Sequence, residues 1–264
     1  MNDPFDAMSY VLRSRNRFAI LEAVADRPCE RSALVVRTES SRVTVGRILR
    51  DFEERAWVTT DGREYVATVE GRALANAVRA ALDELKGVER VAPLLPEFPL
   101  EDAVLPRGAL AAASVTTPNA AQPLRPTQRL TELGANADVV RTYAVGITVE
   151  ATEAHLELVR DAGQHLELLV PTTALEAARQ TSAVREPLSA LVRTDAVVAV
   201  CDPDPTFPFV ARFDDHAVLA ATTDNGTIAG IVEWETDEMA AWVDDRLDDH
   251  LAASDPLTPA EFPP

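Results

Sequence analysis

The sequence predicts an α+β protein, an N-terminal winged helix-turn-helix followed by a mixed α/β C-terminal domain. Three observations predict it. Residues 1–92 carry helical apolar periodicity interrupted by one short turn and one hairpin signal. Residues 93–253 alternate short β-prone apolar runs with helical ones, the pattern of a mixed sheet covered by helices. Charge is also split: residues 1–90 hold 15 basic and 15 acidic side chains, and residues 91–264 hold 10 basic against 28 acidic, which accounts for the whole net charge of −18.

In "MSYVLRSRNRFAILEAVAD" the residues Val11, Leu12, Phe18, Ile20, Leu21 and Val24 recur at spacings that bury one helix face, and Pro28 ends the run. A short helix follows in "RSALVVRT", with Leu34 and Val35 inward. "ESS" is a turn, and Ser40 or Ser41 can cap the next helix. In that helix Val45, Ile48, Leu49, Phe52 and Ala56 form one apolar stripe. Trp57–Thr60 and Glu64–Val69 are β-prone runs joined by Asp61-Gly62, a hairpin signal. A long helix then runs to about Pro93.

Residues 96–130 carry six prolines, with candidate strands at Val104–Leu105 and Ala111–Thr116, and are read as the entry to the second domain. Strands are expected at 139–147, 166–170, 196–201, 209–213, 218–222 and 227–234, with helices at 153–162, 172–180, 186–192 and 236–252. Asp214-Asp215 and Asp224-Asn225-Gly226 supply turns. Residues 254–264 are expected to be a flexible tail.

With the stripe inward, Arg42, Thr44 and Arg47 are expected to point outward at the start of the fourth helix, and Arg50 about one turn further on. The first turns of a recognition helix reach base edges in the major groove. Arginine can donate two hydrogen bonds to guanine, and threonine offers a methyl to thymine or a hydroxyl to phosphate. Arg63 at the hairpin tip is placed for a backbone or minor-groove contact. Asp51, Glu53 and Glu54 fall in the second half of the helix, away from those arginines.

The stretch "SSRVTVGRILRDFEERAWV", followed by a hairpin and "EGRALA", resembles the winged helix-turn-helix of ArsR/MarR-like archaeal regulators. In these a Ser-Arg-x-Thr-Val-x-Arg-x-Leu helix reads DNA. The resemblance places DNA contact on Ser41, Arg42, Thr44 and Arg47, with Val45 and Leu49 at the motif's apolar positions. The run "GRALANAVRAALDELKGVERVAPLLPEFP" resembles the connector of haloarchaeal regulators whose C-terminal half is FilR-type, the methanogenesis-regulator middle domain. "DVVRTYAVGI", "LELLV", "AVVAVCD" and "MAAWVDDRLDDHLAASDPL" follow that family's order. Two departures stand out. Gly46 costs about 1 kcal/mol of helix stability relative to alanine, and Trp57 stands where such regulators have a smaller residue.

The expected function is therefore a sequence-specific transcriptional regulator of double-stranded DNA, homodimeric and cytoplasmic, without cofactor, metal or membrane segment. Whether an effector binds the C-terminal domain is left open. Arg141, Tyr143, Arg193, Phe207 and Phe209 are weighed as pocket liners against core packing or ion pairing. The long helix offers Leu74, Ala77, Val78, Ala81, Leu82, Leu85 and Val88 either to a twin helix or to its own core. The alternative function is a non-enzymatic scaffold whose winged helix binds protein. A hydrolase reading would use Asp202, Asp204, Asp214, Asp215, His216 or Asp224, with His155 and His165, yet turn chemistry explains the aspartates. No phosphate loop, nucleophile elbow or His-Glu-x-x-His is present.

Only one of the 25 basic residues, Lys86, is lysine. An acidic, lysine-poor surface keeps a protein hydrated and dispersed where salt screens ordinary repulsion. The composition is read as that of a halophilic archaeon. Cys29 and Cys201 lack metal-ligand spacing and are read as reduced thiols. The N-terminus has no basic-then-apolar order, so no secretory signal is expected there.

Overall fold

The computed structural model describes residues 3–98, 105–201, 209–223 and 227–261. It divides into two compact units, Met1–Leu85 and Lys86–Pro264. The division thus lies inside the long helix, whereas the sequence places it at that helix's end.

The first unit starts with α1 (Pro4–Leu12) and α2 (Arg15–Asp26). The sequence reads one helix across this stretch. Ser14 breaks it by taking an extended conformation, φ −153° and ψ 121°. The two-residue strand β1 (Cys29–Glu30) was not anticipated, because pairing to a distant strand defines it. Then come α3 (Arg31–Arg37), α4 (Arg42–Glu54), β2 (Val58–Asp61), β3 (Glu64–Ala67) and α5 (Val69–Val91). The β2–β3 pair is the wing, with Asp61 opposite Glu64 and Gly62-Arg63 as its turn. β1 adds to its other edge in the order β1-β3-β2.

Val45, Ile48, Leu49 and Phe52 are all buried, against Ile20, Leu21, Leu34 and Val78. Ala56, expected on the same stripe, is exposed. Here α4 has already ended, with Ala56 at φ 59° and the Trp57 amide donating back to the Phe52 carbonyl at 2.9 Å. Trp57 is buried, its ring 5.8 Å from both Tyr10 and Phe52. Gly71 helps accommodate it: a Cβ there would stand 1.9 Å from the Trp57 carbonyl oxygen.

In the second unit a 3-10 turn, Ala92–Glu97, precedes α6 (Ala109–Ala112) and β4 (Ser114–Thr116). The expected strand at 111–116 therefore begins in a helix and is a strand only over Ser114–Thr116. Leu105 is not in a strand, and Val104 lies outside the described residues. Next come α7 (Arg125–Asn136), unanticipated within the proline-rich stretch, and β5 (Val139–Ala144). A π-turn, Leu158–Ala162, continues α8 (Val149–Glu157) into β6 (His165–Pro171). Then follow α9 (Thr172–Gln180), α10 (Ser182–Leu191), β7 (Val197–Cys201), β8 (Phe209–Phe213), β9 (His216–Thr222), β10 (Ile228–Trp234), α11 (Asp237–Ala252) and β11 (Asp255–Pro256).

These strands form one sheet in the order β11-β7-β6-β5-β8-β9-β10-β4. β5, β6 and β7 are parallel, and the remaining pairings are antiparallel. Alternate residues feed two cores. Tyr143, Leu169 and Val210 pack with α11, while Val140, Leu166 and Ala211 pack with residues of α7, α9 and α10. The expected loose tail is partly structured. β11 pairs with β7, the Leu257 amide donates to the Val198 carbonyl at 2.7 Å, and Glu261 meets Arg179 at 3.2 Å.

Candidate nucleic-acid interface

α3 and α4 are joined by a short turn in which Glu39 takes φ 49°. Ser41 caps α4 by accepting the Thr44 amide at 3.1 Å, which satisfies one unpaired donor of the first turn. Its hydroxyl also lies 3.0 Å from that of Thr44, so these two side chains complete the helix start. Thr44 is half-buried and does not project with Arg42 and Arg47 as expected.

An α-helix turns once every 3.6 residues, so burying positions 45, 48, 49 and 52 turns Val43, Arg47, Arg50 and Glu54 to the opposite side. All four are exposed. Val43, at 80% exposure, is an apolar residue standing in water on the first turn of the helix. The sequence reading missed it, although its place off the apolar stripe is visible in the spacing. Arg42 and Gly46 occupy the flank toward α3, and Thr44 and Asp51 occupy the other.

The arginines sort into two groups. Arg37 pairs with Asp26 at 3.9 Å, and Arg79 pairs with Glu22 at 2.8 Å and Asp26 at 3.0 Å. Arg17 and Arg55 stack on the Tyr10 ring at 3.9 Å and 4.0 Å, while the Tyr10 hydroxyl donates to Asp51 at 2.5 Å. Asp51 is thereby engaged away from the outer face. Burial first, and that hydrogen bond second, raise the Tyr10 pKa. Arg42, Arg47, Arg50 and Arg63, in contrast, have no side-chain hydrogen bond or ion pair among the described residues. Arg63 is exposed at the wing's turn.

Gly46 has a structural reason that the sequence does not reveal. The Arg31 guanidinium, at the start of α3, lies across it and donates to the Arg42 carbonyl at 2.6 Å. A Cβ at Gly46 would stand 2.1 Å from Arg31 Nη2 and 2.5 Å from its Cζ.

Several of the residues weighed for a catalytic or effector site have other roles. The Asp214 carboxylate accepts the Asp138 and Val139 amides at 3.2 Å and 2.9 Å, and so ties the turn between β8 and β9 to the start of β5. Asp202, Asp204, Phe207 and the turn at residues 224–226 lie outside the described residues. No group of three or more metal-ligating side chains occurs among the described residues. Arg141 donates to Glu167 at 2.6 Å and Asp244 at 2.7 Å, and also pairs with Asp248. Burial opposes its charge, but the hydrogen bonds it donates to the three carboxylates outweigh burial and raise its pKa. Tyr143 is core, and Phe209 packs against the core. Neither cysteine is in a disulfide, and both are buried. A cavity of about 340 Å³ among the described residues of this unit is lined by residues that include Val145, Ile147, Thr173, Ala178, Thr181 and Val184.

The first unit is a winged helix-turn-helix whose α4 carries arginines without side-chain partners among the described residues, and a separate α/β unit follows it. In this chain, residues 5–90 match the family described as the HVO_A0261 N-terminal domain, and residues 123–253 match the family described as the middle domain of the methanogenesis regulatory protein FilR1. No curated protein matches it. Among solved structures it is similar to TrmBL2, described as an archaeal chromatin protein with a novel mode of DNA binding. That match has 14% identity and a TM-score of 0.42 over 95% of this chain and 99% of the other. The phospholipase D family member Nuc from Salmonella typhimurium matches at 11% identity and a TM-score of 0.43, over 55% of this chain and 99% of its own. A MarR family protein from Mycobacterium tuberculosis matches at 24% identity and a TM-score of 0.29, over 35% of this chain and 73% of its own. No helix among the described residues is long and apolar enough to cross a membrane.

Proposed function

We propose that this protein is a sequence-specific, DNA-binding transcriptional regulator that acts in the cytoplasm as a homodimer and catalyses no reaction. One observation carries the reading: Arg47 and Arg50 stand unpaired beside exposed Val43 on the outward face of α4. Bidentate arginine contacts read guanine, and an apolar contact reads the thymine methyl. Arg42, Ser41 and Arg63 hold the phosphate backbone, and Thr44 serves through the cap it shares with Ser41. Two-fold operators need two readers. The outer side of α5 supplies a pairing stripe, with Ala77 and Ala81 exposed, Leu85 at 61% and Val88 at 40%. An effector would enter the 340 Å³ cavity, whose lining mixes aliphatic side chains with Thr173 and Thr181 and so suits a small molecule with both apolar and hydrogen-bonding groups.

Gel shift of the full chain against its own upstream DNA in multimolar KCl tests this. Arg47→Glu is expected to weaken binding at least about tenfold, since a good bidentate pair is worth roughly 1–3 kcal/mol. Affinity should depend only shallowly on salt, because counterion release fades as salt rises, and a slope near −0.9 per phosphate would contradict that. If the wild type binds no duplex and Arg47→Glu alters nothing, the winged helix serves a protein partner instead.

A further inference from the structure

We propose that Arg31, on the first helix of the helix-turn-helix, is a phosphate-contacting residue of the DNA interface, and that Gly46 exists to seat it there. The proposal rests on the DNA-binding reading above and extends it to a residue outside the recognition helix.

Arg31's position is poorly explained by the stability of its own helix. It opens α3, where a cation opposes the helix dipole. No carboxylate lies within ion-pair distance of it among the described residues. Its guanidinium instead leans onto α4 and spends one N–H on the Arg42 carbonyl at 2.6 Å. A guanidinium carries five N–H donors in a rigid fork, so four remain for a ligand. Anchoring one of them fixes the fork's orientation, which removes much of the ordering cost of binding.

Gly46 makes that orientation available. Glycine inside an exposed helix is a destabilising choice, yet any side chain at this position would occupy the space that the guanidinium fills. The clash would be with the far end of a flexible side chain, so the fold would survive it and Arg31 would be the part that moves. The position therefore gives up helix stability to hold one charge in one place. That place is the flank of α4 beside Arg42, off the outward row of Val43, Arg47 and Arg50. A cation on the flank of a recognition helix meets the sugar-phosphate backbone bordering the groove, and its contribution is independent of sequence.

The competing explanation is a staple between α3 and α4 with no ligand. Binding of the full chain to a labelled random-sequence duplex, followed by fluorescence anisotropy across a KCl series, separates the two when combined with thermal unfolding. Arg31→Ala should weaken binding about three- to tenfold and make the already shallow slope of log K against log [KCl] measurably less negative. Arg31→Gln, which retains a donor for the carbonyl but no charge, should show the same change of slope. Gly46→Ala should leave Tm unchanged or raised, yet lose affinity as Arg31→Ala does. The double variant should bind no more weakly than Arg31→Ala alone. Wild-type affinity and slope in Arg31→Ala and Arg31→Gln would overturn the proposal, as would additive losses in the double variant. A wild type that binds no duplex would remove the DNA-binding reading itself, a result distinct from a binding wild type indifferent to Arg31.

Discussion

At Ala56 the backbone takes φ 59° just past the end of α4, a conformation in which an L side chain crowds the following carbonyl. Most helices that end this way use glycine. Ala56→Gly should therefore stabilise the protein by about 1 kcal/mol, with the side chain's exposure ensuring that no packing is lost. Chemical denaturation would check this, and an unchanged or lower midpoint would count against the assigned helix end. The case also shows what residue spacing does and does not reveal. Val45, Ile48, Leu49 and Phe52 announce their burial by period alone. Ala56 has the right period and the wrong address, because the helix stops before reaching it. Val43 and Arg31 were legible only as exclusions, one off the stripe and the other in a neighbouring helix. Their roles come from a packing of α3 on α4 that no one-dimensional pattern contains.

At the level of elements, long periodic helices and continuous apolar strands could be read directly, and elements defined by a partner could not. β1 and β11 are two residues each and exist only as rungs on β3 and β7. α7 begins within the proline-rich stretch read only as the entry to the second domain, but Pro126 falls in its first turn, where a missing N–H costs nothing. The end of α7 is tied to α8 by a polar relay equally invisible in sequence. Gln164, 5% exposed, donates to the Gly134 and Ala137 carbonyls at 2.8 Å and 2.9 Å. Its oxygen is then left to accept from His155 Nδ1 at 2.8 Å, which fixes the neutral Nδ1–H tautomer. Burial lowers the His155 pKa, against the smaller opposing effect of that hydrogen bond. A depressed imidazole means that the unfolded chain binds the proton more readily. The His155 contribution to stability is thus complete above the unfolded value of about 6.5 and is lost as pH falls through the lower folded value. Thermal unfolding between neutral and mildly acidic pH should show this loss, and His155→Asn should flatten it. Equal slopes in the two proteins would mean that the relay does not titrate with folding.

Over the whole molecule, several arginines of the second unit and those of α4 differ in their partners. In the acidic second unit Arg141 and Arg212 share Asp244, Arg129 holds Glu233 at 3.0 Å, and surplus carboxylates are left for the surface. In the first unit the arginines of α4 are left unpaired. That contrast was legible from charge counting, whereas the pairings were not. The proposed dimer belongs to this scale too. Burial settles part of the choice left open for α5, since Ala75 and Val78 are buried and Leu74 and Leu82 pack against the first unit's core, while Leu85 and Val88 stay in solvent. Leu85→Glu is expected to shift sedimentation from dimer to monomer and to weaken DNA binding accordingly. A wild type that sediments as a monomer at micromolar concentration would refute the pairing stripe.

The eight-stranded sheet closes on one side with β11, two residues long and including a proline without an amide hydrogen, and on the other with β4, three residues long. A foreign strand seeking to extend the array would find almost no vacant rungs on either side. Such blunt margins keep neighbouring copies from knitting into filaments, a safeguard that surface carboxylates alone would not provide.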